Sequence, residues 1–197
     1  MSDRKRQYKM KARAEQEAGT RLRITESAVD LHGTLGPAKT SISAVAEAAG
    51  VRRSTVYRHF PDERALFGAC SAHWAEQNPP PDLSAWAAIA DPAERLEAAL
   101  AELYAYYRRT EEMLDKLLRD APLVPIVDEL MGAFRALLVA ATDVLVKGRG
   151  LRGKARDRTR AAIGHALAFH TWQDLTRVQG LDDAAAAALM SRLVAAA

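Results

Sequence analysis

Apolar residues recur every three or four positions along nearly the whole chain, and alternating apolar–polar runs of the kind a half-buried strand requires are almost absent. That spacing restricts the chain to helices packed on helices. Residues 21–35 place Leu22, Ile24, Ala28, Val29, Leu31 and Leu35 at mostly helical positions, and Gly33, Gly36 and Pro37 end the run. A short second helix follows, with Ser41 as its N-cap and Ile42, Val45, Ala46 and Ala49 as its stripe, closed by Gly50. A third short segment, 52–59, lies between that glycine and Phe60-Pro61. A fourth helix starts near Asp62 and turns Leu66, Phe67, Cys70 and Trp74 inward. The run Asn78-Pro79-Pro80-Pro81-Asp82 cannot continue a helix and marks a domain boundary.

Beyond it, Asp91-Pro92-Ala93-Glu94 reads as a helix start, with a capping aspartate, a proline that needs no amide donor and a capping-box-like glutamate. This helix buries Leu96, Leu100, Leu103, Tyr104 and Tyr107; a shorter one covers 110–120 and stops before Pro122. A long helix over 124–147 carries a deep stripe that includes Val127, Met131, Phe134, Leu138 and Leu145, and Gly148–Gly153 is a loop. Residues 147–160 hold seven basic side chains and one acid, read as a solvated loop and helix start. The last two helices differ in kind: residues 161–173 carry no formal charge, and from 184 to 197 only Arg192 is charged. A helix apolar on all sides is buried on more than one side. The second side here is most simply another copy of the chain, which predicts a twofold homodimer.

Charge is unevenly placed. The 197 residues have a net charge of +3, but residues 1–78 hold 13 basic and 9 acidic side chains, and residues 1–23 alone hold 8 against 3. An anionic partner for the N-terminal end follows naturally. The single cysteine, Cys70, forms no intrachain disulfide and reads as a small core residue in a reducing cytoplasm. No apolar run approaches the ~18 residues of a membrane span, and the polar start has no secretory core. No P-loop, dinucleotide fingerprint or nucleophile–base motif is present, so neither an enzyme nor a cofactor is expected. His165 and His170 lie five apart, not the four that brings two imidazoles to one metal, and are read as buried polar residues. Glu111, Glu112 and Asp115 are read as a solvated first helical turn.

The segment with chemistry is SISAVAEAAGVRRSTVYRHFPDERALF, residues 41–67. Two short helices meet at the tight turn Ala49-Gly50-Val51, the helix-turn-helix pattern. In the second helix Val56 and Phe60 face the core, while Arg52, Arg53, Thr55 and Tyr57 project outward. That face offers guanidinium forks and hydroxyls to base edges and phosphates in a major groove. This run resembles the helix-turn-helix of the TetR family of bacterial transcriptional regulators, most strongly over 21–70, and ALAFHTWQDLTRVQGLDDAAAAALM resembles the family's C-terminal dimerisation helices.

The resemblance implies an all-α fold of about nine helices: a three-helix helix-turn-helix domain followed by a helical ligand-binding and dimerisation domain. The expected divisions are a basic arm at 1–20, the DNA-binding domain with its connecting helix at 21–78, and an effector and dimerisation domain at 79–197. It implies that Arg52, Arg53, Ser54 and Thr55 lie at the groove-facing start of the recognition helix, with Arg58 beside them. Tyr57 and His59 would bond the DNA backbone, and Ser41 and Ser43 would approach a phosphate. The chain departs from the family pattern at Ser54, where many members have glycine, and at Glu63, where many have lysine; the basic arm at 4–13 is expected to make up the lost phosphate contact. Trp74, Tyr104, Tyr107, Met113, Leu117, Phe134, His165 and Phe169 are first of all core positions. In a family-like fold they also line a pocket for an unidentified small-molecule effector. The implied function is a cytoplasmic, homodimeric repressor that binds a palindromic double-stranded operator and leaves it when the effector binds. The alternative is a helical small-molecule-binding protein with a degenerate, non-specific DNA head.

Overall fold

The computed structural model describes residues 2–197, with side chains from residue 6 onward, so the expected contribution of Arg4 and Lys5 to a basic arm lies outside the described side chains. Among the described residues there is no strand. The chain forms α1 (Ser2–Thr34), a short 3-10 turn (Pro37–Lys39), α2 (Ile42–Ala48), α3 (Arg53–His59), α4 (Glu63–Gln77), α5 (Leu83–Ala88), α6 (Pro92–Asp120), α7 (Pro125–Val146), α8 (Gly153–Ala166), α9 (Phe169–Gln173), a π-turn (Asp174–Val178) and α10 (Asp183–Ala195). The all-helical expectation holds, and the helices number ten among the described residues rather than about nine.

The chain divides into two compact units, Met1–Gln77 with Asp115–Glu129, and Asn78–Leu114 with Leu130–Ala197. The first unit is built on a small core of Ile24, Ala28, Val45, Ala46, Ala49, Val56, Phe60, Leu66 and Cys70. These come from α1 to α4, each helix turning one stripe inward as its spacing requires. Burial pushes the Cys70 thiol up to about 12, so it stays protonated, and its Sγ rests on the Thr25 carbonyl at 3.7 Å. His32 is buried in a stack on Phe67, with ring centroids 4.7 Å apart, and burial lowers its pKa to about 4. Within the same unit the end of α6 holds the loop before α2. Asp120, almost fully buried, accepts from the Ala38 amide at 3.0 Å and from Arg119, and Arg119 donates to the Leu35 carbonyl at 3.1 Å. Arg64 of α4 forms a two-pronged ion pair with Glu129 of α7 at 2.7 and 2.8 Å.

The second unit packs around the aromatic rings of α6 and α9. Tyr107 stands edge-on to Phe169 at 5.3 Å and to Phe134 at 6.4 Å, and tilts against Trp172 at 5.7 Å. Arg95 is buried and donates to the carbonyls of Ile89 and Ala90 and, at the C-terminal end of α7, to those of Val144 and Lys147.

Several expectations are corrected. The shorter helix over 110–120 is not separate: α6 runs unbroken to Asp120, because Thr110 is buried and returns its hydroxyl to the Tyr106 carbonyl instead of capping a new helix. Glu111 is accordingly mid-helix and pairs with Arg177. The uncharged stretch 161–173 is not one helix, since α8 stops at Ala166 and α9 begins at Phe169. The carbonyls freed at that stop are taken by side chains from α6: the Tyr104 hydroxyl donates to Ala166 at 2.9 Å and the Tyr107 hydroxyl to Leu167 at 2.6 Å. His165 and His170 are exposed, not buried; each points away from the face that Ile163, Ala166 and Phe169 turn inward. After the proline run, a helix not expected from the sequence forms: Asp82 caps α5 through the Ser84 amide at 2.9 Å, and α5 buries Trp86. Helix α1 begins at Ser2 and takes in residues 2–20.

Candidate nucleic-acid interface

The turn between α2 and α3 is set by a few backbone bonds. Ser41 caps α2 by accepting from the Ala44 amide at 3.1 Å. At the other end Gly50 takes φ +64, and the amides of Gly50 and Val51 return to the carbonyls of Glu47 and Ala46 at 3.0 and 2.9 Å. Only glycine takes that backbone without strain. The chain then re-enters a helix at Arg53, with Val56 and Phe60 anchoring α3 to the core.

What remains outside is the face expected from the sequence. Arg52, Arg53, Ser54, Tyr57 and Arg58 are exposed, and Thr55 is half-buried. Arg53 and Tyr57, one turn apart, are tied together: Nη2 of Arg53 donates to the Tyr57 hydroxyl at 3.1 Å. That bond raises the Arg53 pKa above its ordinary value. Among the described residues no ion pair engages Arg52, Arg53 or Arg58. His59 is half-buried, with Nε2 enclosed and without a partner, and burial together with Arg58 and Arg21 lowers its pKa. Ser41 and Ser43 are exposed on α2, and Glu63 opens α4 behind an Asp62 cap that accepts from the Ala65 amide at 2.7 Å.

Arg21 carries no local signal in the sequence. Its guanidinium lies 4.1 Å from the Phe60 ring and donates to the His59 carbonyl at 2.5 Å, so α1 fixes the C-terminal end of α3. Its partners are about forty residues away, and no local pattern marks such a contact.

The expected effector residues divide. Tyr104, Tyr107, Phe134 and Phe169 come together, but with both hydroxyls bonded to backbone and the rings closely packed. Met113 is half-buried, and His165 is exposed beside the Thr171 hydroxyl at 3.4 Å. Trp74 and Leu117, both half-buried, belong to the first unit. A hollow of about 440 Å³ lies elsewhere in the second unit, lined by Leu96, Glu97, Arg149, Ser191 and Arg192 among alanines; it includes none of these eight residues. Among the described residues no cluster of side chains is arranged to hold a metal, and no helix is long and apolar enough to cross a membrane.

Residues 24–70 match the family model for bacterial regulatory proteins of the tetR family. No curated protein matches the chain in sequence. Solved structures share its fold. A TetR-like transcriptional regulator from Rhodococcus sp. RHA1 is 19% identical, with 89% of this chain and 93% of that one covered and a TM-score of 0.63. NalD of Pseudomonas aeruginosa, the secondary repressor of the MexAB-OprM multidrug efflux pump, is 19% identical, with coverage of 92% and 96% and a TM-score of 0.59. A tetR-family transcriptional regulator from Streptomyces coelicolor is 20% identical, with coverage of 90% and 78% and a TM-score of 0.51.

Proposed function

We infer that this chain, TetR-family in its head and TetR-like in its fold, is a DNA-binding transcriptional regulator that reads its operator with α3. One observation carries the reading: an exposed helix face on which Arg53 is held by Tyr57 between two further unpaired arginines. A guanidinium presented on such a face can meet a guanine edge with both prongs. Arg52, Ser54 and Thr55 would join it at base edges or adjacent phosphates. Tyr57, Arg58, Ser41 and Ser43 would hold the backbone, as would His59 once its ring turns outward.

A homodimer on a palindromic operator belongs to the same reading. The support is the outer surface of α8 and α10, where Ala161, Ala185, Ala188 and Leu193 are exposed, Gly164 is half-buried, and all five are uncharged. Small residues there let two helices approach closely, and two heads related by a twofold axis match two half-sites. Release by a small molecule would work as a shift between dimer states with different head spacing. The Tyr104–Tyr107–Phe169 cluster is packed shut, so an effector entering there must displace hydroxyls now bonded to the end of α8. Repression and a cytoplasmic setting complete the proposal. Selection of bound fragments from a random duplex pool tests it. An enriched palindrome supports the regulator, and recovery without any sequence preference overturns it in favour of a non-specific head.

A further inference from the structure

The N-terminal half of α1 holds a block of positive charge that α3 does not account for. Residues 6–18 are exposed throughout, whereas the same helix is fully buried at Ile24 and Ala28. A helical stretch of that length with no packing partner is marginal in water. Its own devices are weak. The pairs Lys11–Glu15 at 3.9 Å and Arg13–Glu17 at 3.2 Å both set the cation before the acid, the less favourable order along a helix. Such a segment is poorly suited to stand alone and well suited to an anionic surface.

The helical phase says where that surface lies. Counting back from Ile24 by threes and fours gives Thr20, Gln16, Arg13, Lys9 and Arg6 on one side of α1. Arg21 lies against the end of α3, so α1 passes the proposed recognition helix at that residue and continues beyond it. At about 1.5 Å per residue, Arg13 lies about 12 Å and Arg6 about 22 Å further along. The latter distance is close to two-thirds of a B-DNA turn of about 34 Å.

We propose that the first half of α1 is a second DNA-binding element, a cationic helix that lies along the phosphate backbone flanking the bases met by α3, through Arg6, Lys9 and Arg13. It rests on the reading of α3 as the recognition helix. Its contacts are to phosphate, so they add affinity and footprint without sequence preference. Each cation that neutralises a phosphate steepens the salt dependence of log K by about 0.9.

The test uses the full chain and a fluorescent duplex of random sequence several turns long, titrated over a range of salt concentrations. The triple variant Arg6→Gln, Lys9→Gln, Arg13→Gln should make the slope shallower by about 2–3. The control triple Arg152→Gln, Lys154→Gln, Arg156→Gln removes the same charge from the second unit and should leave the slope unchanged. Thermal melting checks that each variant is folded, as glutamine is a good helix former. Equal slopes for the parent and the first variant overturn the proposal, as does an equal loss in the control, which would mean net charge alone is responsible. If the parent chain binds no duplex at all, the reading of α3 falls with it, an outcome distinct from both.

Discussion

Tyr57 and His32 show how single side chains divide between function and stability. Tyr57 adds little to the core, since its ring is exposed; its hydroxyl accepts from Arg53 and its ring lies 5.5 Å from the Arg53 guanidinium. Tyr57→Phe should therefore leave the melting temperature within a degree or two while removing the hydrogen bond to Arg53. We expect binding to an enriched duplex to weaken by about 0.5–1.5 kcal/mol, the usual net value of one hydrogen bond, in a fluorescence titration. His32 is the reverse case. Its folded pKa of about 4 lies below the ordinary 6.5, so protonation favours the unfolded chain. The stability it supports is full above about pH 6.5 and declines as the pH falls toward about 4. His32→Phe keeps the stack on Phe67 and removes the titrating group, so the loss of stability over that window should become shallower in urea unfolding.

At the scale of elements, two glycines with positive φ differ in both strain and crowding. Gly50, at φ +64, has open space where a Cβ would stand, so Gly50→Ala carries only the left-handed penalty of about 1–2 kcal/mol. Gly36, at φ +93, is pressed against Arg119 and Asp120. Gly36→Ala adds the loss of the Asp120–Ala38 bond and should be the more destabilising by a further 1–3 kcal/mol or so in urea unfolding. Equal losses would mean that this contact contributes nothing. The same elements show what a linear reading can reach. The boundaries of α2 and α3 were legible because Ser41 and Gly50 act on their nearest neighbours. The end of α8 was not, because its carbonyls are closed by Tyr104 and Tyr107, about sixty residues away in sequence. The unbroken run of α6 was hidden by Thr110, a residue type as common at caps as in back-bonded helix interiors. The outward face of α3 was readable from phase alone, whereas Arg21 acts through tertiary contact and the packed state of Tyr107 depends on three other elements.

For the whole molecule, the proposed dimer makes the outer surface of α8 and α10 a requirement for DNA binding. Sedimentation should give about twice the 21.5 kDa of one chain. Leu193 is 53% exposed in the single chain, so Leu193→Glu should leave each chain folded yet separate the copies. Loss of the pairing would weaken binding to a palindrome far more than to a half-site. A monomeric parent with undiminished operator affinity would contradict this arrangement. The central claim concerns α3, and the most direct measurement is the affinity of Arg53→Ala for an enriched duplex beside a scrambled one of equal length and salt. Reading of a base edge by Arg53 predicts a loss of about 1–3 kcal/mol on the enriched duplex and much less on the scrambled one. An equal loss on both would reduce Arg53 to a phosphate contact and contradict the assignment of α3 as the helix that reads sequence.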